Sequence, residues 1–316
     1  MSRLRRDASL SGGAIMSRQS PRNMAASVRE RLLTVARETH EDFNLILTRY
    51  ALERLLYRIG QSRYSDQFVL KGAMLFLAWM SDTHRPTRDL DLLGRGESSP
   101  ESSKAIFREL CAISANDGIA FDENSVQSER IREDELYEGV RVTLLATLAK
   151  ARIAIQVDIG FGDAITPPPV ETDYPTLLDM PAPRLRTYPR ETVVAEKFEA
   201  MVKLGLANTR MKDFYDVWLL AQEMSFDGSI LSAAIAATFE RRNTELPKEL
   251  PRAFQEQFLQ EKQVQWLGFI RKSQPRNAAD LQSVLGLIER FLMPPVLDAA
   301  RNGDFHQHWP PGGPWS

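Results

Sequence analysis

Read for polar and apolar positions, the chain begins with a stretch rich in Ser, Arg and Gly that has no period, residues 1 to about 24, which we read as a disordered tail. Apolar residues then recur at three and four positions, first over Val28, Leu32, Val35 and Ala36, then over Phe43, Ile46, Leu47, Tyr50, Ala51, Leu55 and Ile59. These spacings predict two helices, with Asp42 placed to cap the second. Gln67 to Leu70 reads as a short strand, and Gly72 opens a helical stretch over Ala73 to Met80. From Asp89 to Leu93 carboxylate and leucine alternate, the period of a strand with one wet and one buried face, so Asp89 and Asp91 project together. A helix over Ile106, Leu110 and Ile113 and a strand starting at Gly118 to Phe121 follow.

The apolar runs Val140 to Leu148 and Ile153 to Ile159 predict a hairpin, and the alternation in the second run places Asp158 on its polar face. Prolines at 167, 168, 169, 175, 181, 183 and 189 exclude a helix between Thr166 and Pro189 and predict a long extended connection. Helical patterns resume over Val193 to Leu206, Met211 to Met224, Leu231 to Phe239, Phe254 to Leu259 and Leu281 to Leu292. Pro294 and Pro295 are expected to end the last of these, and the chain after Asn302 reads as unstructured. The pattern therefore predicts an α/β (α+β) core followed by a helical C-terminal domain, divided as 1–24 tail, 25–165 core, 166–190 connection, 191–300 helical domain and 301–316 tail.

Composition narrows the function mainly by exclusion. Among 316 residues, 40 Lys and Arg against 42 Asp and Glu give a net charge of −2, so nothing global draws the chain to nucleic acid. No apolar run reaches the ~20 residues of a membrane helix. The single Cys111 cannot form an internal disulfide and reads as a small core residue, and a reducing, cytoplasmic setting is expected.

The chemistry lies in the carboxylates. Two on one strand face at i and i+2, with a third on a neighbouring strand, offer hard oxygen ligands to Mg²⁺. Asp89, Asp91 and Asp158 supply that set, and Lys71-Gly72 ahead of them opens a helix whose bare backbone suits a phosphate. Arg184, Arg186 and Arg190 form a basic stretch that reads equally as a solvated loop or as a contact for an RNA backbone.

Five segments resemble, in order and in type, the motifs of the AbiEii/AbiGii toxin family of polymerase-β-like nucleotidyltransferases: Phe68-Val-Leu-Lys-Gly-Ala-Met-Leu-Phe, Arg85-Pro-Thr-Arg-Asp-Leu-Asp-Leu-Leu, Val157-Asp-Ile-Gly-Phe-Gly-Asp163, Thr192-Val-Val-Ala-Glu-Lys-Phe-Glu-Ala-Met and Asn208-Thr-Arg-Met-Lys-Asp-Phe-Tyr-Asp216. The resemblance covers roughly residues 42 to 225. It implies a polymerase-β-like nucleotidyltransferase core with a small mixed sheet, Mg²⁺ as the cofactor, a nucleoside triphosphate as the donor, the 3′ end of tRNA as the acceptor and a cognate antitoxin as the partner. It further implies that Asp89, Asp91 and Asp158 hold the metal, that Lys71, Gly72 and Lys197 meet the triphosphate and that Asp213 lies near the reacting groups. Without the resemblance, Lys197 reads as part of a solvated helix face beside Glu196, and Lys212 with Asp216 as an ordinary i, i+4 pair. This chain departs from the wider superfamily in having Gly72-Ala73-Met74 where Gly-Gly-Ser or Gly-Gly-Thr is frequent, so a hydroxyl contact to phosphate is missing and backbone amides with Lys71 remain to compensate. A protein or small-molecule acceptor, and a non-catalytic nucleotide-binding module, are the alternative readings.

Overall fold

The computed structural model of the chain describes residues 23–80, 87–134, 137–275, 277, 279–301 and 303–316. The expectations for residues 1–22 and for Arg85 and Pro86, which open the second resembling segment, fall outside these. In chain order the elements are α1 (Met24–Thr39), α2 (Phe43–Gln61), β1 (Phe68–Lys71), a 3-10 turn Gly72–Met74, α3 (Leu75–Trp79), β2 (Asp89–Gly94), α4 (Pro100–Ala112), β3 (Ile119–Asp134), β4 (Tyr137–Leu148) and β5 (Ala151–Phe161). Then come β6 (Val170–Asp173), β7 (Arg184–Thr187), α5 (Arg190–Leu204), α6 (Met211–Glu223), β8 (Phe226–Asp227), α7 (Gly228–Arg241), α8 (Glu256–Ser273), α9 (Leu281–Ala299) and β9 (His308–Trp309). Asp42 caps α2 as expected, its carboxylate accepting from the Leu45 amide at 3.0 Å.

Seven strands form one mixed sheet in the order β3-β4-β5-β2-β1-β7-β6. Strand β2 runs antiparallel to β1 and parallel to β5, and β1 runs parallel to β7. The β4–β5 hairpin turns through Ala149 and Lys150, with Ala149 at φ 53°. Helices α1, α2 and α4 contact the sheet, burying the face that carries Leu70, Leu90, Leu92, Ile155 and Val157. A buried ionic cluster fastens α2 in place: Arg54 and Arg58 donate to Asp117, and Glu53 accepts from the Leu177 amide at 2.7 Å.

The connection between residues 166 and 190 is extended, but it does more than connect: β6 and β7 join the sheet, and β7 completes the neighbourhood of β1. The prolines flank these two short strands rather than sit inside them, so no ladder donor is lost.

Two expectations for the C-terminal part are corrected. Helix α9 runs straight through Pro294 and Pro295 rather than ending before them. A proline inside a helix removes a donor and costs about 3 kcal/mol. Here the loss is offset by continued burial of Leu292, Met293 and Val296 and by a replacement donor. Pro295 has no amide to offer the Phe291 carbonyl, and the Trp315 indole N–H donates to that carbonyl at 2.9 Å instead. The chain after Asn302 is likewise structured. Trp309 is buried, its indole N–H donates to the Ala221 carbonyl near the end of α6 at 2.8 Å, and Trp309 and Trp315 pack against Phe291. Among the described residues no helix is long and apolar enough to cross a membrane.

Candidate active site

The register of the sheet builds the site. Lys71 faces Asp91 across β1 and β2, Asp91 faces Asp158 across β2 and β5, and Asp158 faces Arg141 across β5 and β4. Residues opposed across neighbouring strands point to one face. Four strands thus carry a row of charge reading Lys71, Asp91, Asp158, Arg141, on the face turned away from α2. Asp89 lies one step along β2 on the same face, opposite Gln156.

Asp158 does not stand open in this row. Arg141 donates to both of its carboxylate oxygens at 2.8 Å, and Gln156 adds a third bond at 3.1 Å. Asp89 is exposed by area, yet partial desolvation and the Asp158 charge push its carboxyl above the usual range. Among the described residues no three carboxylate, histidine or cysteine side chains stand ready as an ion cage. The three aspartates expected to form one are brought together as strand neighbours, with Asp158 turned onto Arg141.

Beside the row lies a cleft of about 250 Å³ lined by Lys71, Gly72, Asp91, Asp163 and Tyr188 on one side and by Glu196, Lys197, Arg210, Lys212, Asp213 and Arg242 on the other. Gly72 has φ +77° and leaves no room for a side chain, because the Asp91 carboxylate occupies that space. Lys71, nearly buried, extends its Nζ to 3.3 Å from Asp163. Asp163 also receives Arg242 at 3.1 Å. Burial alone would raise the Asp163 carboxyl, but Lys71 and Arg242 outweigh it and hold the group below the usual range.

The opposite wall comes from α5, α6 and the end of α7. Lys197 on α5 reaches two buried carboxylates three apart on α6, Asp213 at 2.6 Å and Asp216 at 2.9 Å. Arg210 closes on the second oxygen of Asp213 at 2.6 Å. Burial opposes ionisation of Asp213, and Lys197 and Arg210 overcome it, so its carboxyl lies below the usual range. Lys197 is therefore neither a solvated surface lysine nor an unengaged cation, and Asp216 serves Lys197 across two helices. Arg242, which caps α7, bonds Asp163 and Glu199, and Thr244 donates to the other Glu199 oxygen at 2.6 Å.

Of the residues expected at the site, Lys71, Gly72, Asp91, Lys197 and Asp213 line this cleft. Asp89 opens instead into a larger hollow of about 810 Å³ shared with Arg88, Arg152 and Gln156. The sequence reading passed over Arg141, Arg210 and Arg242. Arg141 was detectable as a charge at a polar-face position of the second-last apolar run; nothing local marks Arg242. Two arginines of the basic stretch are taken up locally, Arg184 by Glu171 at 2.8 Å and Arg190 by Glu191 at 3.1 Å.

A family model described as nucleotidyl transferase AbiEii toxin, type IV TA system, matches residues 54–290. The chain belongs to this family. Membership makes the protein a nucleotidyltransferase of a type IV toxin–antitoxin family, with a nucleoside triphosphate as donor and an antitoxin as the implied partner. Among solved structures it is similar to JHP933 from Helicobacter pylori, at 14% identity and a TM-score of 0.46, covering 80% of this chain and 91% of that one. A provisionally assigned nucleotidyltransferase from H. pylori is similar at 14% identity and a TM-score of 0.45, covering 80% and 94%. No curated protein matches the chain.

Proposed function

We propose that this nucleotidyltransferase moves a nucleoside monophosphate from a triphosphate onto the 3′ end of tRNA with Mg²⁺, releasing pyrophosphate, and that it acts as a toxin which its antitoxin neutralises. The observation that carries the reading is the placement of Asp91 on the floor of a cleft whose lining includes Lys71, Lys197, Arg210, Lys212 and Arg242. A metal-binding carboxylate surrounded by cations matches the two demands of a triphosphate, a cation at the reacting phosphorus and charge neutralisation along the tail.

The donor set fits magnesium. Asp89, Asp91 and Asp158 present only hard carboxylate oxygens, on one face of two neighbouring strands. These three would hold the ion, which when bound lowers the pKa of an attacking hydroxyl and offsets charge on the phosphates. The protein's own groups do the rest. Gly72 lets backbone amides approach the phosphates closely, and Lys71 and Lys197 are fixed by their carboxylate partners before any substrate arrives. Charges held in place in this way stabilise a transition state without reorganisation.

Incubating the protein with Mg²⁺, each labelled nucleoside triphosphate and total tRNA, beside the Asp91→Asn variant, tests the proposal. Label on tRNA that the variant loses supports it. Label on protein or on a small molecule would replace the acceptor, and label from the variant equal to the wild type would remove Asp91 from the reaction.

A further inference from the structure

The charge row has a fifth member. Glu129 on β3 faces Arg141 from the side opposite Asp158, on the same sheet face, and it is exposed. Arg141 therefore stands between two carboxylates on neighbouring strands, with Asp158 accepting it in the resting arrangement. Opposed side chains in an antiparallel pair have Cβ atoms about 4.5–5.5 Å apart, so a change of rotamer suffices to carry a guanidinium from one to the other.

We propose that Arg141 is a positioning residue that acts as a resident counter-ion: it covers the metal-facing oxygens of Asp158 while the site is empty, and moves to Glu129 when a divalent cation arrives. This rests on the reading of Asp89, Asp91 and Asp158 as the metal-holding set. Three N–H groups bind the two oxygens of Asp158, so both oxygens are engaged and three of about four lone-pair sites are taken before a metal arrives. Of the two cations flanking the aspartates, Lys71 is 10% exposed and pinned to Asp163, whereas the Arg141 side chain is 34% exposed. Arg141 is the flank with room to move. Charge drives the exchange: a divalent ion beside Asp91 and Asp158 takes over the neutralisation that the guanidinium gives Asp158 and repels it. Glu129 gives the displaced charge a partner, so the site opens without leaving a cation stranded among cations.

The test is Mn²⁺ binding to the full chain without nucleotide, followed by calorimetry, in wild type, Arg141→Gln, Glu129→Gln and the double variant. Arg141→Gln should bind Mn²⁺ on the order of tenfold more tightly, because a bidentate competitor is gone. Glu129→Gln should bind several-fold more weakly, and it should have no effect when Arg141 is already Gln. That dependence separates exchange from a plain change of charge, which would act alike in both backgrounds. Should Arg141→Gln lose its fold, Arg141→Lys, a single-point donor, should give an intermediate gain. Unchanged or weaker binding by a folded Arg141 variant overturns the exchange, and so does an equal Glu129→Gln effect in both backgrounds. Asp91→Asn tells the two failures apart: if it binds Mn²⁺ as the wild type does, the metal set itself is wrong; if it abolishes binding while Arg141→Gln changes nothing, only the exchange falls.

Discussion

Gly72 and Asp91 contend for one space: a Cβ on Gly72 would fall 2.0 Å from an Asp91 carboxylate oxygen and 2.7 Å from its Cγ. The glycine is thus required twice, by its φ of +77° and by the carboxylate against it. Gly72→Ala should lower stability by about 1–3 kcal/mol, the scale of a strained backbone site. Nucleotidyl transfer should fall much further, because Asp91 must move. Denaturant titration and label transfer, both at a temperature where the variant is folded, check this; a variant that unfolds more easily yet transfers normally would disconnect Gly72 from the placement of Asp91.

Removing Lys197 has a structural consequence beyond the substrate. Asp213 and Asp216 are fully buried and share that one ammonium. Lys197→Ala leaves Asp213 with Arg210 but takes the ammonium from Asp216, and should destabilise the protein by about 3–5 kcal/mol, the scale for removing one partner of a buried pair. Adding Asp216→Asn should recover part of the stability but none of the transfer. Urea unfolding of the single and double variants reads the first effect and label transfer the second.

Glu53 makes stability depend on pH in a direction opposite to that of the cleft carboxylates. Burial raises its carboxyl to about 7 in spite of the Leu177 amide and Arg54. Between the ordinary glutamate value of 4.5 and about 7 the folded state holds a proton that the unfolded state has released. This contribution is complete below the unfolded pKa and is lost as pH rises through the folded one. Asp163 and Asp213, held low, act the other way and lose their contribution only in strong acid. Urea midpoints at about pH 5 and pH 8 should therefore fall with rising pH in the wild type, and Glu53→Gln should flatten the difference.

Trp315→Phe keeps an aromatic ring against Phe291 and deletes the indole donor that serves the Phe291 carbonyl. The loss should be about 1–3 kcal/mol, that of an orphaned buried acceptor. Pairing the change with Pro295→Ala, which restores a helical amide at the right place, should remove most of the cost. A double-variant cycle in thermal unfolding measures the coupling.

The aspartates were legible because alternation carries their orientation: the Asp-Leu-Asp pattern and the Ile153, Ile155, Val157 sequence each declare which side faces water. What alternation does not carry is register. That Lys71, Asp91, Asp158 and Arg141 fall in one line depends on pairing offsets between strands far apart in the chain, which are decided by the whole sheet. Arg242 was illegible for a related reason, since it lies in a charged stretch with no period and gains meaning only where α7 ends beside Asp163. The helix through Pro294 and Pro295 misled because the local rule is sound; its remedy, Trp315, comes from a Pro- and Gly-rich tail. Two tryptophans in such a tail were the overlooked signal, as large apolar rings seldom remain in water.

Asp163 receives Lys71 from the sheet and Arg242 from the helical wall, so one side chain spans the cleft as a rivet. Its negative charge both balances the cations that await the triphosphate and sets the separation of the two walls. A proton or an amide in its place would therefore alter the width of the slot together with its potential. Only glutamate keeps the charge while changing the reach, so among substitutions there every shorter or neutral side chain should loosen the two walls and make the slot more positive together.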